Sequence, residues 1–465
     1  MKLNKVLKAS IWYTFSNFLL KGMGFLTTPI FARILTQDEY GIVNNFNAWL
    51  AIIAILGSFS LSASLVRARF DYKEELNSFI KTNLLFGSFI TFMFVGVFFF
   101  FEEFWTSLFV LDRKYILLMF AVVFVNPAYD MFLQKEQFQY KYKTVTVLSS
   151  LLAISNIVVS LILIGIMDDN LQARLLGSQA PTIIVGLVLY IYFLKKGSEI
   201  RLEYLRYSIP MCIPYMIHLL SGTLLNSSDR TMITKMCGTT DTALYSMAYN
   251  VALIVSVIWS SMNNAFSPWL GEKLQGRNYN AIKKYAYGYI AIFFTFVIGV
   301  MLVTPEILFI LGGTRYLQAK YVIPPVMVGY VFLFLYSLYV NIEQFEKKTL
   351  GMAICTIVCA LINIGLNWLF IPRVGYIAAA YTTLVGYLLM LVIHYFLVKH
   401  IELHICYDNK YILVISVLSL LISMICTILY ENMIARYIVL LAYIIILVII
   451  IRKYKDRLKG FIKLK

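Results

Sequence analysis

Long apolar runs recur through this chain from Ile11 to Ile451, and they constrain its fold more than any other feature. Each is roughly 18 residues or longer, about the length an α-helix needs to cross a hydrocarbon core ~30 Å thick. Of the 465 residues, 60% are hydrophobic and only 14% are charged, so a water-soluble domain would have too little interior to bury them. The sequence therefore predicts an all-α protein with many membrane-spanning helices.

Fourteen candidate spans result when the runs are divided at charged residues and at Gly or Pro breaks. They cover residues 11–32, 42–66, 79–101, 115–133, 144–167, 171–194, 208–234, 243–268, 286–311, 322–342, 350–371, 375–398, 411–430 and 434–451. Cytoplasmic loops carry an excess of Lys and Arg, which tests this count. With a cytoplasmic N-terminus, 29 of the 40 Lys and Arg residues fall on inner segments and 10 on outer segments, while Lys21 lies within the first span. We therefore predict that both termini are cytoplasmic.

The net charge of +16 follows from this topology and needs no nucleic-acid partner. We expect the basic tail to contact anionic membrane lipid. The longest predicted outer loop, Glu102 to Lys114, is too short for a catalytic domain. The six cysteines show no metal-ligand spacing. These features argue against an enzyme, a metal site and a cofactor.

Two stretches of the chain read alike at an offset of 202 residues. FARILTQDEYGIVNNFNAW follows the first predicted helix, and ITKMCGTTDTALYSMAYNV follows the seventh. In each, a long helix is followed by a short polar turn and then by a helix that opens with small, polar and aromatic residues. Both leading helices run from the inside to the outside, so the pattern predicts parallel repeats.

Four motifs in this order resemble the polysaccharide-transport (Wzx-type flippase) family of the multidrug/oligosaccharidyl-lipid/polysaccharide exporter superfamily. They are TTPIFARILTQDEYG, the segment from Tyr207 to Ala252 with its Pro-x-x-x-Pro opening, TPEILFILGGTRYLQA and IPRVGYIAAAYTT. The resemblance covers helices one to twelve. It implies a MATE-like fold with an N-terminal lobe (residues 1–200), a C-terminal lobe (residues 201–400), and helices 13–14 with the tail (residues 401–465).

That resemblance also implies a function without catalysis. The expected cargo is an oligosaccharide on undecaprenyl pyrophosphate, moved by alternating access from the inner to the outer leaflet of a bacterial cytoplasmic membrane for surface polysaccharide synthesis, including O-antigen and capsule. Expected partners are this lipid-linked oligosaccharide, membrane lipid and polysaccharide polymerase machinery. A proton or sodium ion is the expected coupling ion.

The first predicted helix carries candidate substrate-binding residues. Asn17, Lys21 and Thr28 fall on one polar and small face of this otherwise apolar helix. An ionisable group at mid-membrane normally faces protein or water, so we predict that Lys21 lines a cavity. The alternative is a lysine that extends along its aliphatic stem to the interface.

The seventh helix offers Asn226 and Arg230 at similar spacing, and Arg230 aligns with Thr28 at the 202-residue offset. A cation suits the anionic oxygens of a pyrophosphate. An anchor at the outer membrane edge explains Arg230 equally well. His218 and His394 are predicted to be hydrogen-bonded core residues.

Two embedded acids, Asp130 and Glu306, are candidates for binding the coupling ion. Each lies a few residues from a predicted helix end, so a solvated boundary carboxylate is the competing interpretation.

Three other functions remain open. A multidrug exporter of the same fold would need a buried acid for cationic drugs, whereas Lys21 is positive. A peptidoglycan-precursor flippase would differ only in cargo. A polytopic glycan polymerase would need a larger loop than this chain provides.

Overall fold

The computed structural model describes residues 22–139, 141–346 and 348–453, which form α-helices and short 3₁₀ segments without a β-strand. The helices are α1 (22–34), α2 (Gln37–Ser58), α3 (Leu65–Asp71), α4 (Leu76–Phe100), α5 (Glu102–Phe109), α6 (Arg113–Phe138), α7 (Tyr142–Ile164), α8 (Asn170–Lys196), α9 (Leu202–Met236), α10 (Thr239–Gln275), α11 (Tyr279–Leu302), α12 (Thr304–Gly312), α13 (Ile323–Phe345), α14 (Thr349–Val374), α15 (Ile377–His400), α16 (Asn409–Leu429) and α17 (Met433–Lys453). The 3₁₀ segments are η1 (Leu61–Ser64), η2 (Thr314–Tyr321) and η3 (Leu403–Cys406).

Within the described residues, 13 helices are long and apolar enough to cross a membrane. Each overlaps one of the predicted spans from the second to the fourteenth, which confirms the all-α multi-pass fold. The first predicted span lies mostly outside the described residues. The ninth was drawn too long, because α11 ends at Leu302 and a separate short helix, α12, begins at Thr304 and carries Pro305 in its first turn.

The described helices pack as two compact units. The first contains the described residues up to Ser246 together with Ala353–Thr382, and the second contains Met247–Met352 together with the described residues from Thr383 onward. In the first unit, α9 packs against α2 and α4. The division into residues 1–200, 201–400 and 401–465 stays a prediction.

The turn between α1 and α2 is fixed by a capping box, which the letters TQDE encode. The Thr36 hydroxyl accepts a hydrogen bond from the Glu39 amide at 3.2 Å, and the Thr36 amide donates to the Glu39 carboxylate at 2.8 Å. The corresponding turn between α9 and α10 uses Gly238, whose φ of 104° is easily adopted only by glycine. Both turns join their helices within a few residues, as the repeat predicts.

Candidate functional site

A buried polar cluster in the first unit joins α9, α10, α14 and α15. Its members, called the Asp229 cluster below, are Asp229, Tyr245, Asn363, Asn367 and Thr382, each at most 4% exposed. Asn367 Nδ2 donates to Asp229 Oδ1 at 2.6 Å, and the Tyr245 hydroxyl donates to Asp229 Oδ2. Both carboxylate oxygens are therefore hydrogen-bonded within the helix bundle.

The second half of the cluster surrounds the amide of Asn367. Its Nδ2 lies 3.3 Å from Asn363 Oδ1, and its Oδ1 accepts a hydrogen bond from the Thr382 hydroxyl. Thr382 also lies 2.9 Å from the Ala379 carbonyl oxygen on α15. Carboxylate, amide, hydroxyl and backbone oxygens thus converge inside apolar helices.

This set of groups suits a small hard cation or a proton better than an organic ligand. Hard cations such as sodium take oxygen ligands. The described residues contain no group of three or more His, Cys, Asp or Glu side chains placed to hold a metal ion. A site here would instead combine one carboxylate with neutral oxygens, and its burial excludes a bulky ligand.

Arg230 and Asn226 lie on a more open face of α9 than Asp229. The Asn226 side chain is exposed and that of Arg230 is partly exposed, whereas Asp229 is 1% exposed. Arg230 Nη1 donates to the Asn226 carbonyl oxygen at 3.3 Å, so the guanidinium lies along its own helix. Arg230 and the neighbouring Asp229 therefore lie on different faces of α9, as expected for side chains adjacent in a helix.

Of the predicted residues on the first helix, the structure describes only Thr28. Its side chain is buried, and the hydroxyl donates to the Gly24 carbonyl oxygen at 2.9 Å, within the same helix. Asn17 and Lys21 lie outside the described residues, so their assignment to a cavity stays a prediction.

Asp130 is exposed although it lies within the spanning helix α6. Its neighbour Tyr129 donates to the Ser149 hydroxyl at 3.1 Å. Among the described residues, no hydrogen bond or ion pair reaches the Asp130 carboxylate. An ionisable group exposed to lipid is costly, so we expect this side chain to face water, and its assignment to ion coupling stays a prediction.

Glu306 is held in a bidentate ion pair with Arg436 of α17. The two guanidinium nitrogens lie 2.6 Å from the two carboxylate oxygens, and the Tyr437 hydroxyl donates to Glu306 Oε1 at 2.7 Å. Partial burial raises the pKa of Glu306, but these hydrogen bonds outweigh it and hold the pKa below its ordinary value. This geometry favours a structural role for Glu306, and its assignment to ion coupling stays a prediction.

The first turns of α9 are attached to α3 and to the segment that leads into α4. Tyr204 donates to Glu75 Oε2 at 2.7 Å, Tyr207 donates to Asp71 Oδ2 at 2.6 Å, and Arg201 Nη1 lies 3.0 Å from Glu75 Oε2. Donation by Tyr207 is the main cause that lowers the pKa of Asp71. These contacts, called the α9 latch below, fix the start of a helix that carries two prolines.

The sequence-based expectations for α9 are met only in part. Pro210 and Pro214 lie inside one continuous helix of 35 residues. The prediction that His218 lies in the core is wrong, because its side chain is exposed. The matching prediction for His394 is confirmed, since that ring is 1% exposed and bonded to Glu343.

The packing of Arg174 on α8 was not predicted from the sequence. Its guanidinium lies 3.7 Å from the centre of the Phe31 ring, and Nη1 donates to the Ser160 hydroxyl at 2.8 Å. Arg174 stands near the start of a predicted span, where a charge is usually a boundary residue, so its sequence position gave no signal of this packing.

The helix order and the length of the spans define a polytopic all-α membrane protein whose fold is that of the multidrug/oligosaccharidyl-lipid/polysaccharide exporter superfamily. Solved structures of this superfamily share the fold. The lipid II flippase MurJ, in an inward closed conformation, superposes with a TM-score of 0.71 at 16% identity, over 95% of this chain and 99% of MurJ. An inward-facing multidrug resistance MATE family transporter gives a TM-score of 0.55 at 13% identity, over 84% of this chain and 95% of its own.

Sequence comparison identifies the particular family. The polysaccharide biosynthesis protein family matches residues 6–273, more than half of the chain, and the chain belongs to that family. The MatE family matches residues 203–369. The resemblance stated from the four motifs is therefore confirmed.

Two curated relatives are similar to this chain. An uncharacterized membrane protein of Haemophilus influenzae is 23% identical over 417 residues, which cover 87% of this chain and 99% of the relative. The succinoglycan biosynthesis transport protein ExoT of Rhizobium meliloti is 24% identical over 288 residues, covering 57% of this chain and 54% of ExoT.

Proposed function

We propose that this transporter moves an oligosaccharide linked to undecaprenyl pyrophosphate from the cytoplasmic to the outer leaflet of a bacterial cytoplasmic membrane. The observation that carries the proposal is membership of the polysaccharide biosynthesis protein family over residues 6–273. The similarity to a succinoglycan biosynthesis transport protein supports the same class of cargo. The glycan then serves surface polysaccharide synthesis, with a polymerase as the next partner.

The charge on α9 supports a pyrophosphate-containing cargo. Arg230 is partly exposed within a helix long enough to span the membrane, and Asn226, one turn earlier, is exposed as well. A charged group in such a helix is stable where it meets water or a counter-ion. A guanidinium offers a fork of donors that matches the geometry of phosphate oxygens. Lys21, which lies outside the described residues, supplies the second cation in this proposal.

The Asp229 cluster supplies the coupling ion site in this proposal. In the absence of a cation, the carboxylate keeps its two hydrogen bonds from Asn367 and Tyr245. A sodium ion or proton that enters would replace part of this network and neutralise the buried charge, which links ion binding to the relative positions of α9, α14 and α15. Alternating access requires such a link between ion binding and helix position.

Export of cationic drugs fits these features less well. The Asp229 carboxylate is enclosed by its partners and 1% exposed, so a drug-sized cation cannot reach it without dismantling the cluster. Arg230, the more open charge on the same helix, repels cations. A peptidoglycan-precursor flippase remains an alternative, because lipid II also carries a pyrophosphate.

The proposal is tested in a deletion strain of the source bacterium. We expect the strain to accumulate a lipid-linked oligosaccharide on the cytoplasmic side and to lack surface glycan. We expect the wild-type gene to restore the surface glycan and Arg230→Ala to restore little. Arg230→Lys should restore an intermediate amount, because it keeps the positive charge but loses the forked set of guanidinium donors. Membrane levels of each variant serve as the folding control. Normal glycan display without the gene, or with Arg230→Ala, contradicts the proposal.

A further inference from the structure

A buried Glu–His couple in the second unit shares no residue with the Asp229 cluster or with the candidate substrate-binding residues. Glu343 on α13 and His394 on α15 are each 1% exposed, and His394 Nδ1 lies 2.7 Å from Glu343 Oε1. The other carboxylate oxygen, Oε2, is buried and has no hydrogen-bond partner among the described residues. A carboxylate held by a single bond in an apolar interior is costly, so this couple differs from an ordinary structural ion pair.

Among the described residues, no second ion pair reaches the couple. On α13, the ring of Tyr336 lies 5.4 Å from that of His394. Tyr339, one turn before Glu343, donates to Asn409 Oδ1 at the start of α16, and its ring lies 6.0 Å from that of Tyr395 on α15. These neighbouring groups are neutral at physiological pH.

Several uncharged groups of the described residues in this unit also contact α13. From α10, Trp259 donates to Ser337, and Asn263 accepts from Asn341. The Tyr407 hydroxyl donates to the Leu338 carbonyl oxygen, and α11 places Tyr289 against Phe334. Of the charged side chains nearby along the sequence, Glu346, Lys348, Lys399, His400 and Lys410 are exposed. Asp408 is partly exposed and forms an ion pair with Lys283 at 3.6 Å.

We propose that Glu343 and His394 form a proton-binding site. Without the proton, the couple consists of a carboxylate and a neutral imidazole whose Nδ1–H donates to Oε1, with a net charge of −1. One proton added at Oε2 makes the couple neutral, while the imidazole Nδ1–H still donates to Oε1.

Burial determines when this proton moves. In the geometry described here, the neutral state is favoured, because loss of the proton would leave a negative charge with one hydrogen bond in an apolar core. The proton leaves once a rearrangement of α13 against α15 lets water reach Oε2. The couple thereby links proton release to the packing of these two helices, and this inference does not depend on the identity of the cargo.

Infrared difference spectroscopy of the purified full-length protein in detergent tests the site, with spectra recorded as the pH is raised. We expect a protonated-carboxyl band that disappears with rising pH in the wild type and is missing in Glu343→Gln. The matched control is Glu346→Gln, which removes an exposed acid three residues later and should keep the band. A Glu343→Gln spectrum identical to that of the wild type overturns the proposal.

Gel filtration shows whether Glu343→Gln is folded. If it is not, a second variant tests the proton-binding site. His394→Gln keeps a donor near Oε1 but cannot share the proton. We expect the band to persist in this variant and to disappear at a different pH from that of the wild type. An unchanged pH of disappearance overturns the proposal. The experiment contains no oligosaccharide, so its failure leaves the proposed cargo untouched.

Discussion

Gly41, near the start of α2, lies directly against the backbone of Thr239, at the start of α10. A Cβ added to Gly41 would overlap the Thr239 carbonyl group and lie 3.1 Å from its Cα, and the Thr239 hydroxyl donates to Asp38. At the 202-residue offset, Thr239 corresponds to Gln37 at the start of α2. The turns that the repeat relates therefore touch each other, and in an alternating-access cycle this contact has to break when that end opens.

Gly41→Ala should hold these two turns apart, because the added methyl group has no room. The reporter is Cys237 in the α9–α10 turn. Its partial burial, together with the nearby Asp241, raises the pKa of the thiol, so reaction with a maleimide is slow in the closed arrangement. We predict several-fold faster labelling of Cys237 in Gly41→Ala.

Gly96→Ala is the matched control for this experiment, since a Cβ at Gly96 meets nothing within 4 Å. Its labelling rate should equal that of the wild type, and Cys237→Ser identifies the reacting thiol. Equal labelling rates of Cys237 in Gly41→Ala and in the wild type would contradict the prediction. They would mean that the two turns accommodate the methyl group without moving apart.

Asp229→Asn tests ion binding in the Asp229 cluster. If the cluster binds sodium, replacing potassium by sodium raises the thermal unfolding midpoint of the wild-type protein by roughly 2 °C or more, because a bound ion stabilises the folded state. Asp229→Asn should abolish this difference, since it removes the only carboxylate of the cluster.

Asp130→Asn is the comparison for this prediction, because Asp130 is the other candidate acid in the first unit. If the sodium effect survives in Asp229→Asn and is lost in Asp130→Asn, the coupling site is on α6. If the coupling ion is a proton, the thermal unfolding midpoint should change with pH and not with sodium. Asp229→Asn should abolish this pH dependence.

The apolar runs predicted 13 of the described helices because length and hydropathy are properties of consecutive residues. The Asp229 cluster was not predictable in the same way. Asp229 was visible only as a neighbour of Arg230. Asn367, which donates to Asp229, and Thr382, which donates to Asn367, lie more than a hundred residues later, and only the packing of α9 against α14 and α15 brings the three together. Glu343 next to His394 was missed for the same reason.

The end of the ninth predicted span shows a different limit of prediction from sequence. The run from 286 to 311 is predominantly apolar and contains one charged residue, Glu306, so hydropathy alone does not mark the break after Leu302. Pro305 was the available signal, since proline favours the first turn of a helix. The ion pair between Glu306 and Arg436 depends on the packing of α12 against α17, which no local pattern encodes.

Glu306→Gln should destabilise the second unit by about 1–3 kcal/mol, because it leaves the nearly buried Arg436 guanidinium without its carboxylate. The pKa of Glu306 is lower in the folded protein than in the unfolded chain, so this stabilisation is complete above the unfolded value of about 4.3 and is lost as the pH falls through the folded value. Thermal unfolding between neutral and acidic pH measures both effects.

The control for this ion pair is Arg67→Ala, which removes an exposed pair with Asp71 and should cost ~0–1 kcal/mol. Equal losses for Glu306→Gln and Arg67→Ala would contradict the structural role assigned to Glu306.

The double variant Tyr204→Phe/Tyr207→Phe should loosen the α9 latch, since each hydroxyl donates to a carboxylate. Each lost hydrogen bond costs about 1 kcal/mol, and we expect faster hydrogen exchange in the first turns of α9. Tyr215→Phe, on an exposed position of the same helix, is the control and should leave exchange unchanged. Unaltered exchange in the double variant would show that α9 is held by packing alone.

A transport assay with the purified protein tests whether it moves a lipid-linked oligosaccharide across a membrane. Proteoliposomes would carry undecaprenyl pyrophosphate with a radiolabelled oligosaccharide, and a membrane-impermeant glycosidase would report how much sugar reaches the outer leaflet. We expect transfer by the wild-type protein, a marked loss in Arg230→Ala, and no inhibition by a cationic dye. Absence of transfer by folded wild-type protein, or equal transfer by Arg230→Ala, would contradict this expectation.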